Sequence, residues 1–237
     1  MHARRLIPAL VALTCAAAPL QDALADASEA AAVEGATPAT RPAAKVLTVL
    51  DRIADNITET RYEHRTRINS REGIYVWDCS AMAAYVIRKA APAARRALTR
   101  ERPVARDFYA AIEAAPTRGD REGWRKVAAI TDVRPGDVFA WKRPKDFPSR
   151  NTGHVGFVLE APTPAAGWPG AYLVRIADAT SLPHGDDTRD PEGGGGFGHG
   201  TLLVVSDGAG NGIAYGWFGA RSRGVIETPI AFGRLIR

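Results

Sequence analysis

The spacing of the apolar residues changes once along this 237-residue chain, near Asp137, and that change limits the folds open to it. Before it, Val46, Leu47, Leu50, Ile53, Ala54 and Ile57 recur at helical spacing with polar residues between them. A second helical run begins at Cys79 and continues through Met82, Tyr85 and Val86 until Pro92 ends it; a third runs from about Val104 to Ala115, before Pro116. Beyond Asp137 the pattern alternates. Asp137–Lys142, His154–Leu159 and Tyr172–Asp178 read as half-buried strands. Thr201–Val205 and Ile213–Phe218 flank Gly208-Ala209-Gly210-Asn211-Gly212, which reads as a hairpin turn. Helices followed by a run of strands predict an α+β fold, with N-terminal helices packed on an antiparallel sheet of about five to six strands.

The N-terminus has a different character. Arg4 and Arg5 precede an apolar run from Leu6 to Leu20, and Ala23-Leu24-Ala25 follows as a small-residue cleavage site, so residues 1–25 read as a secretory signal peptide. The mature protein is then periplasmic or secreted. Cys15 raises a lipid anchor as the lesser alternative, since Leu13-Thr14 before it fits such an anchor poorly. Residues 26–43 have hardly a large apolar side chain and form a flexible linker, which leaves 44–237 as the folded domain. No later stretch offers about 20 uninterrupted apolar residues, so no integral membrane segment is expected after processing. A net charge of +5 is mild: it is compatible with attraction to an anionic surface such as a cell wall, while 24% charged residues of both signs is ordinary for a globular surface. With no basic block interleaved with aromatics, nucleic acid is excluded as a partner.

Cleavage removes Cys15 and leaves Cys79 as the unpaired thiol of an exported protein, which favours a reactive role. Asp78 is a good N-cap, so Cys79 opens a helix and faces its unpaired backbone N–H groups, an environment that suits the nucleophilic thiolate. A small core residue is the alternative. A thiol hydrolase also needs a base and a group to orient it. His154 is the best candidate base, because it opens an alternating strand and is bracketed by Gly153 and Gly156, where the backbone is open to approach. His64 lies in a polar approach, and His184 and His199 lie in loops. If Val155–Leu159 and Tyr172–Ala177 form a hairpin with Glu160 opposite Tyr172, His154 faces Asp178 on the same side of the sheet. Asp178 is therefore the expected orienting group, with His184 the runner-up and a turn-capping Asp178 the alternative.

Asp78-Cys79-Ser80, Arg134-Pro135-Gly136-Asp137-Val138 and Gly153-His154-Val155-Gly156-Phe157-Val158, in that order, resemble the motifs of the NlpC-type cell-wall cysteine peptidases, a branch of the papain-like superfamily. The resemblance spans roughly Ala54 to Asp178. It implies a papain-like fold and a Cys79–His154 pair that hydrolyses amide bonds in peptidoglycan stem peptides. By the same resemblance Asp78 and Ser80 hold the free amine of the stem peptide and Tyr62 lines the site. An amidase or acyl transferase with the same residues, and a catalytically silent wall-binding module, are the alternatives. No cofactor or metal is expected. Asp207–Gly212 opens like a calcium loop, but Ala209 and Phe218 occupy ligand positions, and Gly193–Gly196 lacks the Lys-Ser/Thr of a phosphate loop. His184, Asp186, Asp187, Asp190 and Glu192 read as an acidic solvated loop.

Overall fold

The structure, a computed structural model, describes residues 37–190, 192–193, 195–218 and 224–237. The expected signal peptide, Cys15 and most of the linker lie outside the described residues. Helix α1 (Arg41–Asn56) begins a few residues before the expected boundary. The Thr40 hydroxyl accepts the Ala43 N–H at 3.1 Å and donates to the Leu235 carbonyl at 2.7 Å, tying the start of the domain to its end. Ala43, Val46, Leu50 and Ile53 form the buried stripe. Each of the larger three contributes about 1.5–3 kcal/mol by leaving water.

Three short strands follow: β1 (Glu59–Tyr62), β2 (Arg67–Asn69) and β3 (Ile74–Trp77). They form a separate sheet in the order β1-β3-β2, with β1 parallel to β3 and β2 antiparallel to it. Through Asp78, β3 feeds directly into helix α2 (Cys79–Ala90), which buries Met82, Ala83, Val86 and Ile87. Pro92 ends that helix and opens α3 (Pro92–Ala97), and α4 (Ala105–Glu113) comes next.

The remaining strands are β4 (Trp124–Val127), β5 (Val138–Lys142), β6 (Gly153–Val158), β7 (Thr163–Pro164), β8 (Ala171–Thr180), β9 (Gly196–Ser206), β10 (Gly212–Gly216) and β11 (Val225–Leu235). They overturn the expected papain-like fold of helices on an open sheet. Strand β10 pairs with β9 along one edge and with β11 along the other, and β11 pairs with β5, so β5-β6-β8-β9-β10-β11 closes into a six-stranded antiparallel barrel. β4 continues the β11 edge beyond β10, and β7 pairs with β8.

The closing strand explains the difference. Pro229 and Gly233 interrupt the alternation of β11, and both mark sites of local geometry rather than strand ends. Pro229 falls where the β10–β11 register shifts, between the pairs Ala214↔Glu227 and Gly212↔Ile230; such a bulge tolerates a residue with no N–H. A Cβ on Gly233 would lie 2.5 Å from Ile112 Cγ1 of α4, so the helix approaches the strand closely there. Closure sorts the strand residues into two cores. Phe139, Trp141, Val158, Ile176, Val204 and Phe232 belong to the cluster inside the barrel. Val138, Ala140, Val155, Phe157, Ala177 and Ala231 pack outward with the helices.

Candidate active site

Cys79 is the first residue of α2 and is 4% exposed. Asp78 caps the helix, one carboxylate oxygen accepting the Ala81 N–H at 2.8 Å. The thiol therefore sits in the turn where backbone N–H groups are unpaired, and Ser80 Oγ is 3.8 Å from its sulfur.

His154 is the second residue of β6, at the end of the barrel where β5 stops and β8 ends. Gly153 before it has φ +144, and a Cβ there would lie 1.9 Å from the Trp141 carbonyl oxygen. No other residue would let the strand begin in this way beside β5. The imidazole is held between Trp141 and Trp217, with ring centroids at 5.1 and 5.2 Å. Its Nε2 lies 2.7 Å from Asp178 Oδ2, and the Cys79 thiol is close enough to act on the ring electrostatically. Burial alone would push this imidazole down. The negative charge of Cys79 and the hydrogen bond to Asp178 outweigh burial and raise it to about 9.

Asp178 reaches His154 in a register two residues away from the expected one. The observed pairs are Phe157↔Ala177 and Val158↔Ile176, so Asp178 is a diagonal neighbour of His154 on the same face. The reason lies in the connection: residues 159–170 fold back as β7, whose Thr163 and Pro164 take the β8 partners Leu173 and Tyr172. Glu160 is thereby kept from Tyr172.

The Asp178 carboxylate is fully buried and shared. His184 Nε2 lies 3.4 Å from the same Oδ2, and the His184 ring stacks on Trp217 at 4.0 Å. Arg189 binds the other oxygen, Oδ1. Burial works to raise Asp178, but the Arg189 guanidinium and then the hydrogen bonds of the two imidazoles hold it well below the usual carboxylate range.

Arg189 is the residue that the sequence reading missed. The signal for it was the alternation Gly196-Phe197-Gly198-His199-Gly200 on one face of β9. A Cβ on Gly198 would lie 2.5 Å from Arg189 Cγ, and one on Gly200 would lie 2.5 Å from His184 Cδ2. Those glycines make room for the two side chains that surround Asp178.

Tyr62, at the end of β1, stands near enough to Cys79 for the thiol to act on its phenol. Burial, followed by the negative charges of Cys79, Asp78 and Asp178, pushes its phenol up and keeps it a donor. Tyr62 and His154 line a cleft of about 1310 Å³ at the barrel mouth, whose walls include Trp217, Phe147 and Leu182. Cys79, Asp178, Asp78 and Ser80 are not among the described residues lining it. The second oxygen of Asp78 lies 3.1 Å from His64 Nδ1, and Ser80 is 5% exposed.

In the acidic loop, Asp187 binds Arg189, while Asp186 binds Arg175 and Thr201. Among the described residues no group of three or more His, Cys, Asp or Glu side chains is arranged to hold a metal ion. His199 lies on β9, and burial pushes its imidazole down. Comparison with protein-family models, with characterised proteins and with solved structures gave no match for this chain. No helix among the described residues is long and apolar enough to cross a membrane.

Proposed function

We propose that the chain is an exported cysteine hydrolase, periplasmic or secreted, that cleaves amide bonds in peptidoglycan stem peptides, as the NlpC-type motifs suggest. The observation that carries the chemistry is one buried imidazole, His154, bonded to the buried Asp178 carboxylate and raised by the charge of Cys79, a thiol at a helix N-terminus.

In this reading His154 takes the Cys79 proton, and the thiolate attacks the amide carbonyl carbon. The C–N bond then breaks, the leaving amine takes the proton from the imidazolium, and a thioester remains on Cys79. Water, deprotonated by His154, attacks that thioester and releases a carboxylic acid, restoring the thiol and the imidazole. Asp178 orients the ring and offsets its positive charge throughout.

Incubation of the purified protein with defined peptidoglycan fragments, followed by mass analysis, tests the reading. The expected result is a matched pair of new amine and carboxyl products, abolished by Cys79→Ala with the thermal melt retained. Intact fragments, or equal turnover by Cys79→Ala, would overturn it.

A further inference from the structure

Asp178 is held from behind by a side chain that no sequence motif marks. Arg189 lies in the loop between β8 and β9, and its side chain is 2% exposed. Its Nε donates to the Gly196 carbonyl at 2.7 Å, and its Nη2 donates to the Asp178 carbonyl at 2.6 Å as well as to Asp178 Oδ1. Nη1 donates to Asp187 Oδ2, and the same oxygen accepts the His184 backbone N–H at 2.8 Å. A buried guanidinium so fully engaged is fixed in place, and desolvating it is tolerable because every donor group has a partner.

The consequence for the site follows from which oxygen Arg189 takes. By occupying Oδ1 it turns Oδ2 toward the two imidazoles of His154 and His184. It also supplies charge. Around the His154 ring the proposed mechanism places two anions, the Cys79 thiolate and the Asp178 carboxylate, with Asp187 a third behind them and the Tyr62 phenol a neutral donor. Removing one positive charge from this enclosed group makes the next added proton more favourable, and the thiolate is the base open to receive it.

We propose that Arg189 is a positioning residue of this site: it aims the free oxygen of Asp178 at His154 and supplies the positive charge that lets Asp178 and the Cys79 thiolate share one imidazole. The proposal rests on the hydrolase reading for the role of Cys79.

The rate of iodoacetamide alkylation at the Cys79 peptide, followed across pH in the full chain, tests both and separates them. Relative to the wild type, alkylation near neutral pH should fall when His154 is replaced by Ala, because the thiolate loses its imidazolium partner. Arg189→Met should move the midpoint up by about one pH unit or more and slow alkylation at pH 6 by about tenfold. Arg189→Lys, which keeps the charge, should restore most of the rate although it loses hydrogen bonds and melts earlier. An arginine that only stabilises the fold would lower the melt in both variants and leave the midpoint where it was, which would overturn the proposal.

Should Arg189→Met fail to fold, Gly198→Ala decides, because its Cβ would press on Arg189 Cγ without changing any charge. An upward shift supports the proposal and an unmoved midpoint overturns it. Wild-type alkylation that His154→Ala does not slow would overturn the hydrolase reading itself; alkylation that depends on His154 with a midpoint that neither the Arg189 nor the Gly198 variant moves would overturn only the role of Arg189.

Discussion

Two buried carboxylates in the barrel wall, Asp137 and Asp178, are each bound by an arginine, and they are used differently. Asp137 sits at the start of β5, where Arg234 of β11 binds it through both oxygens at 2.9 and 2.8 Å and the Arg134 N–H donates to Oδ2 at 2.8 Å. Every partner is a permanent cation or a backbone group. Asp178 gives one oxygen to Arg189 and the other to two imidazoles. Burial raises Asp137 above the ordinary carboxylate range against the pull of Arg234, whereas the cations around Asp178 hold it well below. The pair at Asp137 fastens the strand that closes the barrel; the cluster at Asp178 leaves one oxygen facing groups that exchange protons. A buried Asp–Arg contact is therefore no sign of a site by itself. The partner on the second oxygen makes the difference.

The sharpest way to break that comparison is to remove each carboxylate or its cation and compare activity with stability. Asp178→Ala should lower turnover by roughly 10²–10⁴-fold, as loss of an orienting carboxylate does, with Asp178→Asn falling between it and the wild type. Arg234→Met strands Asp137 without its cation and should lower unfolding free energy by about 3–5 kcal/mol while leaving turnover per folded molecule unchanged. Urea unfolding alongside single-turnover kinetics on the two variants checks both. If Arg234→Met lost turnover as heavily as Asp178→Ala, the two regions would not be distinct in role.

The same contrast shows what could be read in advance. Arg134 to Asp137, which the sequence offers only as part of a family motif, form a turn: the Asp137 N–H donates to the Arg134 carbonyl at 3.1 Å, and Gly136 has φ +83. Helix α1 is legible because Val46, Leu50 and Ile53 alone define a buried stripe. The contact between His154 and Asp178 survived an error in register because that error was two residues, which preserves the face of the sheet; an error of one would have sent Asp178 to the helices. Closure was not legible, since Pro229 and Gly233 leave no clean alternation in Val225–Leu235, and only the paired strand shows that Pro229 sits at a bulge. The small sheet was hidden for another reason: Arg61 to Gly73 offers too little apolar alternation for β2 to show. Arg189 was hidden because a buried arginine in a polar loop looks like any solvated one until its carbonyl partners are known.

A smaller effect sharpens the electrostatic half of the comparison. His154 is raised from 6.5 to about 9, so the folded state holds its proton more tightly than the unfolded chain does. The stability this gives is fully present below pH 6.5 and is lost as pH rises through about 9. Asp178 works in the opposite sense: its carboxyl is depressed, so its contribution is present above the ordinary carboxylate range and is lost as pH falls. His154→Gln should flatten the decline of stability over the alkaline window, read by urea unfolding at stepped pH. Parallel curves for wild type and variant would show that the imidazole is not charged by its neighbours.

The smallest effect concerns a third carboxylate, Asp78, which like Asp178 offers one oxygen to an imidazole. The geometry resembles that at His154, with His64 Nδ1 3.1 Å from Asp78 Oδ2 while Oδ1 caps α2. The surroundings differ, for the His64 side chain is 69% exposed and water screens the pair. His64→Ala should therefore change unfolding free energy by less than about 1 kcal/mol, whereas Asp78→Ala, which removes the cap, should lower it by about 0.5–2 kcal/mol. If Asp78 receives the free amine of the stem peptide, as the proposed substrate requires, His64 competes with that amine for the same oxygen. His64→Ala should then lower KM a few-fold at low salt and leave kcat unchanged, and raising the salt should erase the gain. An unchanged KM at low salt would remove Asp78 from substrate binding and leave it as the cap that holds Cys79 at the start of its helix.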